Sequence, residues 1–151
     1  MPTNLYGPND NFDLESSHVL PALLRRFHEA KLDNLDAVTL WGTGAATREF
    51  LHVDDLSKAI LHCVASYDED LPLNVGTGIE TSIKNLALEI AQIVGYAGDI
   101  KWDKNRPDGT PRKVLDVKRI NAIGWRNEID LANGIRETYE WFKESQKKSQ
   151  S

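Results

Sequence analysis

Short apolar runs closed by paired glycines alternate along this chain with longer stretches whose apolar residues recur every three or four positions. That alternation of strand-like and helix-like periods confines the fold to the α/β class. Residues 2–6 form the first extended run, broken at Gly7-Pro8. Leu20, Leu23, Leu24 and Phe27 share one helical face, which predicts a helix from about His18 to Lys31 with Ser16 or Ser17 as its cap. Val38-Thr39-Leu40-Trp41 reads as a strand closed by Gly42-Thr43-Gly44. Asp54 and Asp55 suit the N-terminal dipole of a second helix through Leu56, Ile60 and Val64. Leu73-Asn74-Val75, before Gly76-Thr77-Gly78, is a candidate buried strand. Thr81 or Ser82 caps a third helix, with Ile83, Leu86, Ala87, Ile90 and Val94 inward and Gly95 as its stop. Ile100-Lys101-Trp102 is another short strand, residues 105–113 form a loop, and residues 117–123 form a short helix. Asp130 caps a last helix whose inner face is Leu131, Ile135, Thr138 and Phe142. The strands are too few for a complete doubly wound nucleotide fold.

With 151 residues, 40% of them apolar and 27% charged, the chain can bury the core of one domain. A net charge of −5 argues against nucleic acid as a partner. No apolar run approaches the roughly 18 residues that cross a membrane, and no leader precedes Pro2, so no membrane partner is expected. Cys63 is the one cysteine; it allows no internal disulfide, fits a reducing cytoplasm, and reads as an inert buried thiol. His28 reads as part of a solvated helix face, and His52 and His62 read as structural. No histidine pair has metal-ligand spacing with a cysteine or carboxylate, so no metal is expected. The domain is expected to span residues 1–146, with 147–151 as a disordered polar tail.

Several polar residues stand where chemistry is possible. His18 opens the first helix, and imidazole is a side-chain type suited to general acid or base work; a surface or capping histidine is the plainer alternative. Arg25 and Arg26 follow two turns later, about 10–12 Å along the axis, so an elongated ligand can touch both ends, although a solvated basic face has the same pattern. Trp41 beside Gly42-Thr43-Gly44 offers an aromatic plate next to approachable backbone, where a lone tryptophan is otherwise core. Arg48 matches a diphosphate in bidentate fashion. In Pro107-Asp108-Gly109-Thr110-Pro111-Arg112-Lys113, Asp108 suits hydroxyl or base N–H donors, and Arg112 and Lys113 suit phosphate. Gly42-x-Gly and Gly76-x-Gly lack the third glycine of a dinucleotide fingerprint and read as turns.

Pro2-Thr3-Asn4-Leu5-Tyr6-Gly7-Pro8, Trp41-Gly42-Thr43-Gly44, Arg48-Glu49-Phe50-Leu51-His52-Val53-Asp54-Asp55 and Asp108-Gly109-Thr110-Pro111-Arg112-Lys113 together resemble the second half of the GDP-L-fucose synthase family. These are nucleotide-sugar epimerase/reductases among the extended short-chain dehydrogenases. The likeness runs from Pro2 to about Gln146; the Arg48–Asp55 run marks the superfamily and the Asp108–Lys113 run is more selective. It implies the C-terminal substrate-binding portion of such a fold, lacking most of the N-terminal Rossmann sheet. The glycine-rich pyrophosphate loop, the Tyr-x-x-x-Lys pair and a catalytic Ser and Cys would belong to the other half. The resemblance implies an intact enzyme, a cytoplasmic homodimer, that uses NADPH. It would epimerise C3 and C5 of GDP-4-keto-6-deoxy-D-mannose and reduce the C4 ketone. His18 would be the general acid; Pro2, Thr3, Asn4, Leu5 and His18 would lie along the nicotinamide end of NADP. Arg26, Trp41, Arg48, Asp108 and Lys113 would bind the GDP-sugar substrate. The chain alone is then expected to bind nucleotide-sugar and not NADP, to be inactive, and to need its other half. Two alternatives stand beside this: a UDP-sugar epimerase or dehydratase of the same superfamily, and a non-catalytic nucleotide-sugar-binding module.

Overall fold

In the computed structural model, which describes residues 1–149, strands and helices alternate. The order is β1 (Asn4–Tyr6), α1 (Val19–Leu32), β2 (Ala37–Trp41), β3 (Thr47–Arg48), β4 (Phe50–His52), α2 (Val53–Ser66), β5 (Thr81–Ser82), α3 (Ile83–Val94), β6 (Asp99–Asp103), β7 (Arg112–Lys113), α4 (Lys118–Ala122) and α5 (Leu131–Ser149). β1 runs parallel to β4, with Asn4 facing Phe50 and Tyr6 facing His52. β2 runs parallel to β6 over five residues. β3 lies between β5, antiparallel, and β7, parallel. The expected strand at Leu73–Val75 is reduced to a single bridge between Pro2 and Val75. Val75 N–H donates to the Met1 carbonyl (2.8 Å) and Thr3 N–H to the Val75 carbonyl (3.0 Å). Both bonds are made by the residues flanking Pro2, whose nitrogen faces away from Val75, and the pairing stops where the chain bends at Gly76.

The larger core lies where the helical stripes face each other: Leu24 and Phe27 of α1, Ile90 of α3, and Ile135 and Phe142 of α5 are all buried. His28 is a correction to the sequence reading. It is half-buried between α1 and α5, with Nδ1 3.0 Å from the Tyr139 hydroxyl and its ring edge-on to Phe142. Burial is the main cause that lowers its pKa; Lys31 and Lys143 add to this and Glu29 opposes it. A smaller core gathers Leu51, Ala59, Val75, Ile120 and Trp125, with Cys63 only partly buried against it. α2 turns Asp55 and Ala59 inward and leaves Ile60, Leu61 and Val64 exposed at 54%, 71% and 82%.

The helix ends follow local chemistry. Ser82 Oγ accepts from Asn85 N–H (3.1 Å), and Gly95 ends α3 at φ 75°. Asp130 Oδ1 accepts from Asn133 N–H (2.8 Å) at the start of α5. α1 differs from expectation: His18 is its N-cap and makes no side-chain capping bond. Ser16 is instead captured by Asp13, to whose Oδ1 its hydroxyl donates (2.9 Å), and Ser17 Oγ is buried without a partner among the described residues. α5 takes in residues 147–149, where Lys147 and Lys148 suit the C-terminal dipole; Gln150 and Ser151 lie outside the described residues. No described helix is long and apolar enough to cross a membrane.

Candidate functional site

β1 leads into a tight turn that shapes one wall of the site. Asp10 N–H donates to the Gly7 carbonyl (3.3 Å), with Pro8 and Asn9 between them and Asn9 at φ 66°. Proline followed by an asparagine at positive φ is the pattern of a type II turn. Beyond it, Thr3, Asn4, Leu5, Asp10, His18 and Lys113 line a cavity of about 460 Å³. The backbone of His18 is extended (φ −70°, ψ 166°), and its side chain is exposed at the N-cap of α1. Thr3 Oγ1 and Asn4 Nδ2 both donate to the Glu49 carbonyl, at 3.2 and 2.8 Å, which fixes the β1 side of the cavity. Asp10 Oδ1 accepts from Asn11 N–H (2.7 Å), while its Oδ2 is buried without a partner among the described residues. Burial raises the pKa of that carboxyl, against the lowering effects of the Asn11 bond and the nearby His18.

Ser17, one residue before His18, lines a second cavity of about 640 Å³, together with Leu23, Arg26, Trp41 and Trp102. Arg26 Nη1 donates to the Thr39 carbonyl (3.3 Å). Arg25, on the neighbouring face, is held by Glu29 and the Phe12 carbonyl. Consecutive residues at the start of α1 thus open onto different cavities, and Arg26 lies about 12 Å further along the axis at 1.5 Å per residue.

The Gly42-Thr43-Gly44 turn and the loop before β7 are latched to each other. Asp108 Oδ1 accepts from Thr43 N–H (2.6 Å) and Oδ2 from the Thr43 hydroxyl (2.7 Å). The hydroxyl bond first, then the backbone bond, hold this carboxyl below its usual range. Gly42, at φ 78°, leaves no room for a side chain: a Cβ there would lie 2.2 Å from Asp108 Oδ1. Arg48 is half-buried and donates through Nη1 to the Thr47 and Thr110 carbonyls, both at 2.7 Å. Next to each other on β7, Arg112 donates to Glu80 (3.0 Å) while Lys113 reaches the His18 cavity. Alternating side-chain directions along a strand account for the split.

The structure therefore gathers His18, Thr3, Asn4, Leu5 and Lys113 around one cavity, and Arg26 and Trp41 around the next. Pro2 lies apart, at its bridge to Val75. Arg48 and Asp108 hold the loop that borders the site. His52 is the buried N-cap of α2, its Nδ1 accepting from Asp54 N–H (3.3 Å), and His62 Nε2 lies 2.8 Å from the Ile123 carbonyl. The sequence does not mark Asp10 for the site, although the Pro8-Asn9 turn signal stands beside it; Ser17 reads there only as a cap, Trp102 only as part of a strand, and Glu49 only as part of the Arg48–Asp55 run.

The family model for the NAD dependent epimerase/dehydratase family matches residues 1–76. The chain is 52% identical over 145 residues to the "Putative GDP-L-fucose synthase 2" of Arabidopsis thaliana, covering 96% of this chain and 44% of that protein. It is 51% identical over 155 residues to the "GDP-L-fucose synthase" of Escherichia coli (strain K12), covering 97% and 48%. Among solved structures, a GDP-L-fucose synthetase from Naegleria fowleri bound to NADP superposes with a TM-score of 0.90 at 27% identity, over 97% of this chain and 46% of that one. A GDP-mannoheptose C4 reductase from Campylobacter jejuni with NADP bound gives 0.83 at 36% identity, over 94% and 51%. The chain spans about half the length of the relatives it matches.

Proposed function

The chain belongs to the NAD dependent epimerase/dehydratase family, and on that footing we propose that it forms the C-terminal, substrate-binding part of a GDP-L-fucose synthase. The observation that carries this is the ridge at the start of α1: Ser17 and His18 open onto adjoining cavities, one holding Lys113 and the β1 residues, the other Arg26 and Trp41. A GDP-sugar laid across that ridge places its hexose at His18 and its nucleotide near Arg26 and Trp41. The ammonium of Lys113 and the N-terminus of α1 offset the charge of its diphosphate.

The substrate's own chemistry sets the order of events. In a 4-keto hexose the carbonyl acidifies the C–H bonds at C3 and C5, so loss of either proton gives an enolate that is reprotonated on the opposite face. Reduction removes that carbonyl and must come last. His18, exposed at the cavity wall and with no hydrogen bond to its ring among the described residues, delivers the proton. NADPH, when bound by the intact enzyme, supplies the hydride for C4. Thr3, Asn4 and Leu5 would border its nicotinamide end, with Thr3 and Asn4 already pinned to Glu49. Neither Gly-x-Gly turn of this chain makes a pyrophosphate loop, so we assign the chain the sugar nucleotide and not the dinucleotide. The exposed apolar face of α2, with Ile60, Leu61 and Val64, is the surface we assign to the N-terminal half.

Calorimetric titration tests the assignment. GDP-mannose binds the chain more tightly than NADP⁺; the opposite order overturns it. With NADPH and GDP-4-keto-6-deoxymannose, the chain alone forms no GDP-fucose.

A further inference from the structure

Arg106 lies on the loop after β6, its guanidinium carbon 5.0 Å from the centre of the Trp41 ring. Its side chain has no ion pair or hydrogen bond among the described residues, so five N–H donors in a planar fork are uncommitted. The loop that carries it is held in place. Arg106 N–H donates to the Asp103 carbonyl (3.2 Å), and two residues later Asp108 is latched to Thr43, itself two residues beyond Trp41. Trp41 is 65% exposed, at the rim of a cavity walled by Leu14, Val19, Leu23, Leu40 and Trp102.

A slot with apolar and aromatic walls, bordered by Glu15, Ser17 and Arg26 and with a planar cation stacked on its exposed Trp41, matches a flat heteroaromatic ring that carries paired acceptors along one edge. Guanine has such an edge: O6 and N7 sit side by side and take both arms of a guanidinium. Adenine sets an N–H₂ donor beside N7, and uracil has no N7 at all. On the reading above, that this cavity takes the nucleotide of a sugar nucleotide, we propose that Arg106 selects the base. The guanine stacks on Trp41 while Arg106 swings from that ring to grip O6 and N7, and guanosine diphosphates are thereby preferred over uridine and adenosine diphosphates.

Calorimetry with GDP, ADP and UDP on the unsubstituted chain, Arg106→Ala and Arg106→Lys tests this. A bidentate contact of this kind is worth roughly 5- to 150-fold in affinity. Arg106→Ala should weaken GDP by that factor and leave UDP nearly unchanged. Arg106→Lys keeps the charge without the fork, and should lose most of the preference as well. An unchanged GDP preference in Arg106→Ala overturns the proposal. So does an equal loss for all three nucleotides, which would put Arg106 on the diphosphate. If the unsubstituted chain binds none of the three, the assignment of the cavity to a nucleotide falls; if it binds them all equally, base selection falls alone.

Discussion

Replacing Glu49 by Gln should loosen the chain at the point where the wall of the site is tied together. Glu49 is 0% exposed. Its Oε1 accepts from Gly78 N–H and its Oε2 from Leu115 N–H, each at 2.8 Å, while its carbonyl anchors Thr3 and Asn4. The side chain thus joins the segment before β5 to the segment after β7, and the backbone carbonyl of the same residue holds β1. Glutamine keeps the shape but turns an NH₂ toward one of the two amides. One charge-assisted bond, about 1.5–3 kcal/mol, is lost, and a buried N–H without a partner costs about 1–3 kcal/mol. The two terms overlap, so the net loss is about 2–4 kcal/mol. With a denaturant slope of about 2 kcal/mol per molar in urea, the unfolding midpoint should fall by about 1–2 M, followed by far-UV circular dichroism. Hydrogen exchange should report the same event locally, with the Gly78 and Leu115 amides losing protection first. A midpoint within about 0.3 M of the unsubstituted chain, with both amides still protected, would refute the reasoning.

His28 should make stability depend on pH in the mildly acidic range. Its folded pKa lies below the ordinary 6.5, so the unfolded chain binds the proton first; the contribution is intact above 6.5 and is lost as pH falls toward the folded value. His28→Gln should therefore flatten the fall in urea midpoint below about pH 6.5, and an identical fall in both proteins would contradict this. In an enzyme assembled with its N-terminal half, His18→Gln should slow solvent deuterium incorporation at C3 and C5 by about 10²–10⁴-fold. Exchange at the unsubstituted rate would remove His18 from the acid role. Leu61→Lys with Val64→Lys should change the stability of the isolated chain by no more than about 0.5 kcal/mol yet abolish association with that half in analytical ultracentrifugation. Retained association would place the docking surface elsewhere.

Much of the helical frame was legible because its signals are local and repeated. Leu86, Ala87, Ile90 and Val94 mark the buried face of α3, and Ser82 and Gly95 mark its ends. β3, β5 and β7 were not legible, since two residues cannot display a period of two. β4 hides for another reason: Phe50, Leu51 and His52 are all buried, so nothing alternates. Ser16 has the residue type of a cap, but its hydroxyl goes to Asp13, and His28 has the pattern of a solvated face because its partner Tyr139 lies 111 residues away. In α2 an apolar repeat was visible, but not that Ile60 and Val64 face outward. For the site, motif resemblance named residues that the fold does bring together, such as His18 with Lys113. It did not show that Asp108 is committed to Thr43, because that bond depends on a loop closing over 65 residues. Asp10 and Arg106 carry no signal in the sequence, and Ser17 reads only as a cap, because what sets each apart is its place beside a cavity or over Trp41, which no spacing in the sequence encodes.

On this proposal the ridge at Ser17 and His18 receives a sugar nucleotide. Amide and indole chemical shifts followed by NMR as GDP-mannose is titrated into the chain test it most directly. The shifts should concentrate at Asn4, Ser17, His18, Arg26, Lys113 and the Trp41 indole, on both sides of the start of α1. A different hollow, about 700 Å³ and lined by Lys31, Asp36, Tyr96 and Asp99, lies at the far ends of α1 and α3. Shifts clustered there, with His18 and Trp41 unmoved, would contradict the account.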